Sequence, residues 1–184
     1  MKVKLFIFSF IAAVFCACEQ NGVGDASLIE GGWDLRNIDY DKTVYADYNG
    51  NTHLKDSAYT RTFEDKEQVW LFYQGDISEW QYYVQDGEGY WSGYACDCWR
   101  KYRTEGEGEN MTIVETRGSI IPGYEGVTTT RRYKVEKLTT KSMVLSTIER
   151  MYNSDTQSPV DVNAVYTFKR DNSLLEYIRS VYPE

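Results

Sequence analysis

Two stretches decide the fold of this 184-residue chain: Leu28-Ile29-Glu30-Gly31-Gly32-Trp33-Asp34-Leu35-Arg36 near its start and Val162-Asn163-Ala164-Val165-Tyr166-Thr167-Phe168-Lys169-Arg170 near its end. Each carries the two-residue alternation of a strand. Between them, residues 57–64, 68–74, 79–85, 90–95, 98–104, 111–116, 128–138 and 142–152 read as further strands. Turn-forming stretches such as Asp86-Gly87-Glu88-Gly89 and the Pro122-containing segment 118–126 separate them. Short strands at regular spacing predict an all-β barrel or sandwich. Matching strands at the two ends predict a closed antiparallel sheet in which first and last meet. In that pairing Trp33 lies at the same end as Arg170. Alternation puts Arg170 on the face of Val162, Ala164, Tyr166 and Phe168, so its guanidinium can reach over the Trp33 ring. Such a cation–π contact contributes ~0.5–2 kcal/mol.

Segment 40–59 is polar and reads as an irregular hairpin, with Asn49-Gly50 as a type I′ turn signal. After Asp171-Asn172-Ser173, a candidate helix cap, Leu174, Leu175, Ile178, Val181 and Tyr182 recur at helical spacing. A helix of about ten residues persists only if packed, and the barrel wall is its natural support.

The first 17 residues read as a secretion signal. Lys2 and Lys4 precede an apolar run, 5–15, too short for the roughly 20 residues of a bilayer span. Phe15-Cys16-Ala17-Cys18 resembles a bacterial lipobox, with Phe15 where leucine is usual. The resemblance implies lipidation of Cys18, and each buried CH₂ of an acyl chain contributes about 0.8 kcal/mol to membrane retention. Residues 18–27 then form a lipidated tether, and 28–184 the barrel domain with its helix. Lys2 and Lys4 leave with the signal, so 28 acidic residues face 20 basic ones less those two, a net charge of about −10. So acidic a surface argues against nucleic acid, which requires a basic patch.

Gly32-Trp33, the run Tyr133–Leu138 leading through a short turn into Met143-Val144-Leu145-Ser146, and the final Tyr166-Thr167-Phe168-Lys169-Arg170 resemble the lipocalin-like lipoproteins of Bacteroidetes over residues 27–170. The resemblance implies an up-and-down barrel with a possible central cavity, generally without an assigned activity. It also implies pairing of a first-strand tryptophan, Trp33, with a last-strand arginine, Arg170. An outer-membrane lipoprotein facing the periplasm or the exterior follows as the expected location. The chain departs from this family in its long segment 40–59, its aromatic middle and its Cys-x-Cys.

Catalytic chemistry has little to work with. His53 is the only histidine, so any Ser-His-Asp or Cys-His arrangement would have to use it. The carboxylates show no spacing that marks a glycosidase pair. Cys96, Cys98 and His53 could supply three zinc ligands, which the family resemblance does not support. We therefore expect no enzyme, no cofactor and no metal. Cys96 and Cys98 point to one face of an extended strand. A local, strained disulfide is the first reading, two buried thiols the second and a redox role the third.

Trp70, Phe72, Tyr73, Trp80, Tyr82, Tyr83, Tyr90, Trp91, Tyr94, Trp99 and Tyr102 put eleven rings in 33 residues, more than core filling demands. A tightly filled barrel with tyrosines packed beneath the helix accounts for them at least as well as a binding surface does. On the binding reading, Trp70, Trp80, Tyr82, Trp91 and Trp99 line a site for a small apolar or amphipathic ligand. The alternative is an accessory subunit that docks on an envelope complex through an aromatic face and has no cavity.

Overall fold

A computed structural model describes residues 22–182 except 95–97 and 125. The strands are β1 (Gly31–Tyr40), β2 (Thr43–Ala46), β3 (Thr52–Lys55), β4 (Tyr59–Thr62), β5 (Val69–Tyr73), β6 (Asp76–Gln85), β7 (Glu88–Gly93), β8 (Cys98–Glu105), β9 (Thr112–Ser119), β10 (Thr128–Leu138), β11 (Ser142–Asn153) and β12 (Ser158–Arg170), followed by helix α1 (Ser173–Val181). Strands β1, β5, β6, β8, β9, β10, β11 and β12 follow one another around a closed antiparallel ring of 8 strands. The fold is the lipocalin-like up-and-down barrel with a short C-terminal helix. β1 and β12 close it in antiparallel register, Trp33 opposite Arg170 and Ile38 opposite Tyr166.

The closing pair also builds the barrel floor. The Arg170 guanidinium carbon lies 4.7 Å from the centre of the fully buried Trp33 ring. Its Nη1 and Nη2 donate to the Leu28 and Glu30 carbonyls at 2.7 Å each. The Trp33 indole donates to the Ile29 carbonyl at 2.7 Å. Gly31, at φ +129°, leaves room for this: a Cβ there would stand 2.5 Å from Arg170 Nη2. Residues 22–27, expected as tether, lie partly on this floor. Val23 bridges Leu138, the Gly24 amide donates to the Leu138 carbonyl at 2.8 Å, and Ala26–Ile29 forms a 3-10 turn. Cys18 and the signal lie outside the described residues.

Turn chemistry departs from expectation in one place. Asn49-Gly50 belongs to a five-residue loop in which only Gly50 has positive φ, and the Asp47 carboxylate accepts from the Asn49 and Asn51 amides. The two-residue turns with both residues at positive φ are Gln74-Gly75 (50°, 82°) and Asp86-Gly87 (53°, 82°), joining β5–β6 and β6–β7. Hairpin β2–β3 stands apart from the barrel sheet and is held to the β11–β12 turn, the Ser154 amide donating to the Thr52 carbonyl at 2.8 Å.

Helix α1 buries Leu174 and Ile178 against the outer face of the wall, on Val69, Leu71 and Trp91. Its start is secured by Asp171, whose carboxylate accepts from the Ser173 amide at 2.7 Å and the Ser173 hydroxyl at 2.6 Å.

Candidate functional site: a lateral cleft over a buried ion network

The barrel interior is built in layers by strand alternation. Toward the floor, Trp33, Leu35, Ile113, Val135, Leu145 and Phe168 form an apolar layer. Above it the Trp70 ring contacts Phe168, Tyr166 and Tyr133 at centroid distances of 5.2, 5.6 and 6.0 Å. Rings thus fill the middle of the barrel.

Beyond them the inward positions become charged. In β9 the parity that turns Ile113 inward also turns Glu115 and Arg117 inward; in β10 Tyr133 brings Arg131 with it. Arg100 donates to Glu79 and Glu115, and Arg117 donates to Glu115 at 2.6 Å. The Tyr133 hydroxyl donates to Glu115 at 2.9 Å. Arg131 reaches the Tyr133 hydroxyl at 3.5 Å and Glu149 at 3.2 Å, and the Tyr166 hydroxyl donates to Glu149. Three carboxylates and three guanidinium groups thereby form one continuous, neutral network. Glu115 is fully buried, and burial alone would raise its pKa; Arg100 and Arg117 outweigh that and hold the carboxyl below its ordinary value. Burial keeps Tyr133 and Tyr166 protonated and therefore donors, their pKa values raised, with the neighbouring carboxylates Glu115 and Glu149 adding to the shift.

Among the described residues two donors in this interior have no acceptor: Trp70 Nε1 and Arg100 Nη2, on residues 3% and 6% exposed. They are neighbours, the Arg100 guanidinium carbon lying 4.7 Å from the Trp70 ring centre. A buried N–H left without a partner costs about 1–3 kcal/mol, more when it is charged.

The wall beside Arg100 is open. β6 pairs with β8 only at Asp76–Lys101, near the floor. Higher up, β6 pairs with β7 from Trp80–Gly93 to Gln85–Glu88, and β7 leaves the ring. The parting of β6 from β8 makes a lateral cleft of about 450 Å³, lined by Ile77, Ser78 and Glu79 on one side and Trp99, Arg100 and Arg117 on the other, with Tyr94 at its rim. A larger hollow of about 870 Å³ crosses the outer face of β9–β12 past Arg132, Lys134 and Arg150. There Arg132 pairs with Glu105 at 2.6 Å and Lys134 with Glu136 at 2.8 Å, and neither unpartnered buried donor lines it. The cleft is the stronger candidate on these grounds.

The five expected ligand-lining rings fall in three places. Trp70 is inside, packed among rings. Trp80, Tyr82 and Trp91 share the outer face beneath α1, where Tyr82 meets Trp91 edge-on at 5.0 Å and Trp80 meets Tyr177 at 6.4 Å. Trp99 alone lines the cleft, 36% exposed, with its indole laid across Gly118. Cys98 also lines the cleft, whereas Cys96 lies outside the described residues, so the expected bridge has only one end in view. Sequence reasoning left out Arg100, Glu115, Arg131 and Glu149, because the carboxylates show no spacing that marks a common site. The usable signal was strand parity with Ile113 and Tyr133.

His53 stands on β3, its Nδ1 2.8 Å from Asp155 and its Nε2 3.2 Å from Asp47. Hydrogen bonds to Asp47 and Asp155 raise its pKa. It pins hairpin β2–β3 to the β11–β12 turn, away from the cleft lining. Among the described residues no group of three or more His, Cys, Asp or Glu is placed to hold a metal ion. No known family model matches the chain, and no curated protein matches it.

Proposed function

We propose that this protein is a lipid-anchored component of a bacterial cell envelope, of the lipocalin-like kind common in Bacteroidetes, that binds a small amphipathic ligand without chemistry at the β6–β8 cleft. One observation carries the binding reading. A buried guanidinium with an unpartnered N–H lies behind a break in the barrel wall, and an aromatic ring stands at the entrance. Ligand sites combine such a concave apolar surface with a few convergent polar groups. The ring-filled centre supports a site in the wall over one in a central cavity. The lipobox-like Cys18 supports the anchor. Gly22 accepts from the Leu138 amide at 3.2 Å on the barrel floor, and four residues reach at most about 14 Å. An anchor at Cys18 therefore holds the floor close to the bilayer and leaves the cleft facing sideways.

Trp99 is the reporter. Trp33, Trp70 and Trp91 are buried and half-buried Trp80 packs on Tyr177 of α1, whereas Trp99 is 36% exposed at the rim. An extract of the host's envelope lipids and glycans is expected to shift tryptophan emission saturably. Trp99→Ala should abolish the shift while leaving the thermal midpoint within about 2 °C, as for a surface substitution. In the same cells Cys18→Ser should leave the membrane fraction carrying no mature lipidated chain. An unchanged shift in Trp99→Ala removes the cleft reading; an unchanged membrane fraction removes the anchor.

A docking role, the second reading, draws on the β9–β10 connection. Ile120, Ile121, Tyr124 and Val127 there are 57%, 43%, 61% and 58% exposed. β9 and β10 place this loop at the end opposite the floor, free to meet a partner protein. If it is the working surface, replacing Ile120 and Ile121 by serine abolishes co-purification of the partner, and Trp99→Ala does not.

A further inference from the structure

We infer that the β6–β8 cleft takes a neutral, polyhydroxylated ring, a saccharide unit, and not an ionised lipid or acid. The inference rests on the proposal that the cleft is the binding site, and three features of the cleft carry it.

Charge comes first. Arg100 and Arg117 are matched by Glu79 and Glu115, with Arg100 bonded to both carboxylates and Arg117 to Glu115. At the floor end of the seam Lys101 faces Asp76 at 3.8 Å. An incoming carboxylate or phosphate would add an uncompensated charge beside a fully buried Glu115, and a cation would do the same beside Arg100. A neutral ligand leaves the balance intact.

Hydrogen bonding comes second. The unpartnered Arg100 Nη2 requires an acceptor, and the Glu79 carboxylate beside it offers lone pairs. A hydroxyl serves both at once, accepting from the guanidinium once its Nη2, closed to solvent without ligand, turns toward the cleft, and donating to the carboxylate. A ligand carboxylate can do only the first and would face Glu79 with like charge. An acyl chain can do neither.

The aromatic platform comes third. Trp99 and Gly118 are cross-strand partners on one face of the sheet. A Cβ at residue 118 would fall 2.2 Å from Trp99 Cζ2, so the indole occupies the space that a side chain would need. One side of the ring is thereby held against the strand, and the remaining surface is exposed at the rim near Tyr94. Alternation turns Trp99 out and Arg100 in, so a ring that enters the break meets an apolar platform outside and charged hydrogen-bonding groups inside, which suits the C–H face and hydroxyl edge of a sugar.

The test uses the full-length protein at pH 7 with two sets of probes: neutral oligosaccharides of glucose, mannose, galactose and N-acetylglucosamine, and ionised laurate and oleate below their micellar concentrations. Tryptophan emission and titration calorimetry are the readouts. Expected is saturable binding of at least one neutral oligosaccharide, weakened at least tenfold in Trp99→Ala and in Gly118→Ala. Raising salt from 50 to 500 mM should leave it within twofold, because no ion pair forms with the ligand. If a fatty acid binds with the same dependence on Trp99 and no saccharide does, the saccharide inference falls and the cleft reading stands. If a saccharide binds but Trp99→Ala and Gly118→Ala leave its affinity unchanged, the site is elsewhere and the inference falls. If neither set binds, both the inference and the cleft reading fall.

Discussion

Arg170→Met is expected to lower the unfolding free energy by about 2–3 kcal/mol in urea denaturation. Methionine keeps much of the apolar stem that packs on Trp33. What it removes is the charge over the ring, about 0.5–2 kcal/mol, and the donors to the Leu28 and Glu30 carbonyls. A carbonyl stripped of its donor costs about 1–3 kcal/mol when buried, less for Glu30, whose bond to Arg170 is exposed. The bonds tie the 3-10 turn to the end of β12, so the variant should also raise amide exchange in residues 24–31. A loss below about 1 kcal/mol would mean that the floor does not depend on this guanidinium.

Glu115→Leu is expected to cost more, about 3–5 kcal/mol, the usual penalty for breaking a buried ion pair from one side. Arg100 is 6% exposed and would keep only Glu79, while Tyr133 would lose its acceptor. Adding Arg100→Met should restore a large part of the loss, since a pair replaced as a unit by apolar groups of similar size can be nearly neutral. If the double variant is as unstable as the sum of the two single ones, the groups are not coupled. The pH dependence has a definite sign. Glu115 has a folded pKa below its ordinary 4.5, so its contribution is present above about pH 4.5 and is lost as pH falls through the lower folded value. Between those values stability should fall less steeply with acid in Glu115→Leu than in the parent protein.

Much of the architecture was legible because alternation and chain ends constrain a closed sheet so strongly. Trp33 and Arg170 could be placed together from the antiparallel first–last pairing and strand parity, and the structure puts them in register. The seam between β6 and β8 was not legible. It arises because β6 gives its upper half to β7, and the choice of partner depends on tertiary pairing that leaves no local mark. Turn position was partly hidden too. Gln74 adopts φ +50° with no composition to announce it, whereas Asn49, which suits such a turn, does not. Parity showed that both faces of the middle strands carry rings, and α1 and the barrel core then divide them. Trp80, Tyr82 and Trp91 go under the helix and Trp70 goes inside, which leaves Trp99 at the cleft. Parity also held the information for Glu115 and Arg131. The general expectation that charged residues face water stood in its way, and a network whose charges balance overrides that expectation.

Hydrogen exchange with and without a saturating envelope extract tests the central claim, that the opening between β6 and β8 is where this protein binds. Protection should rise at least tenfold in residues 76–80 and 98–101, with little change in β10, β11 and β12. Protection confined to residues 119–127, or none anywhere while the extract still shifts tryptophan emission, would contradict it.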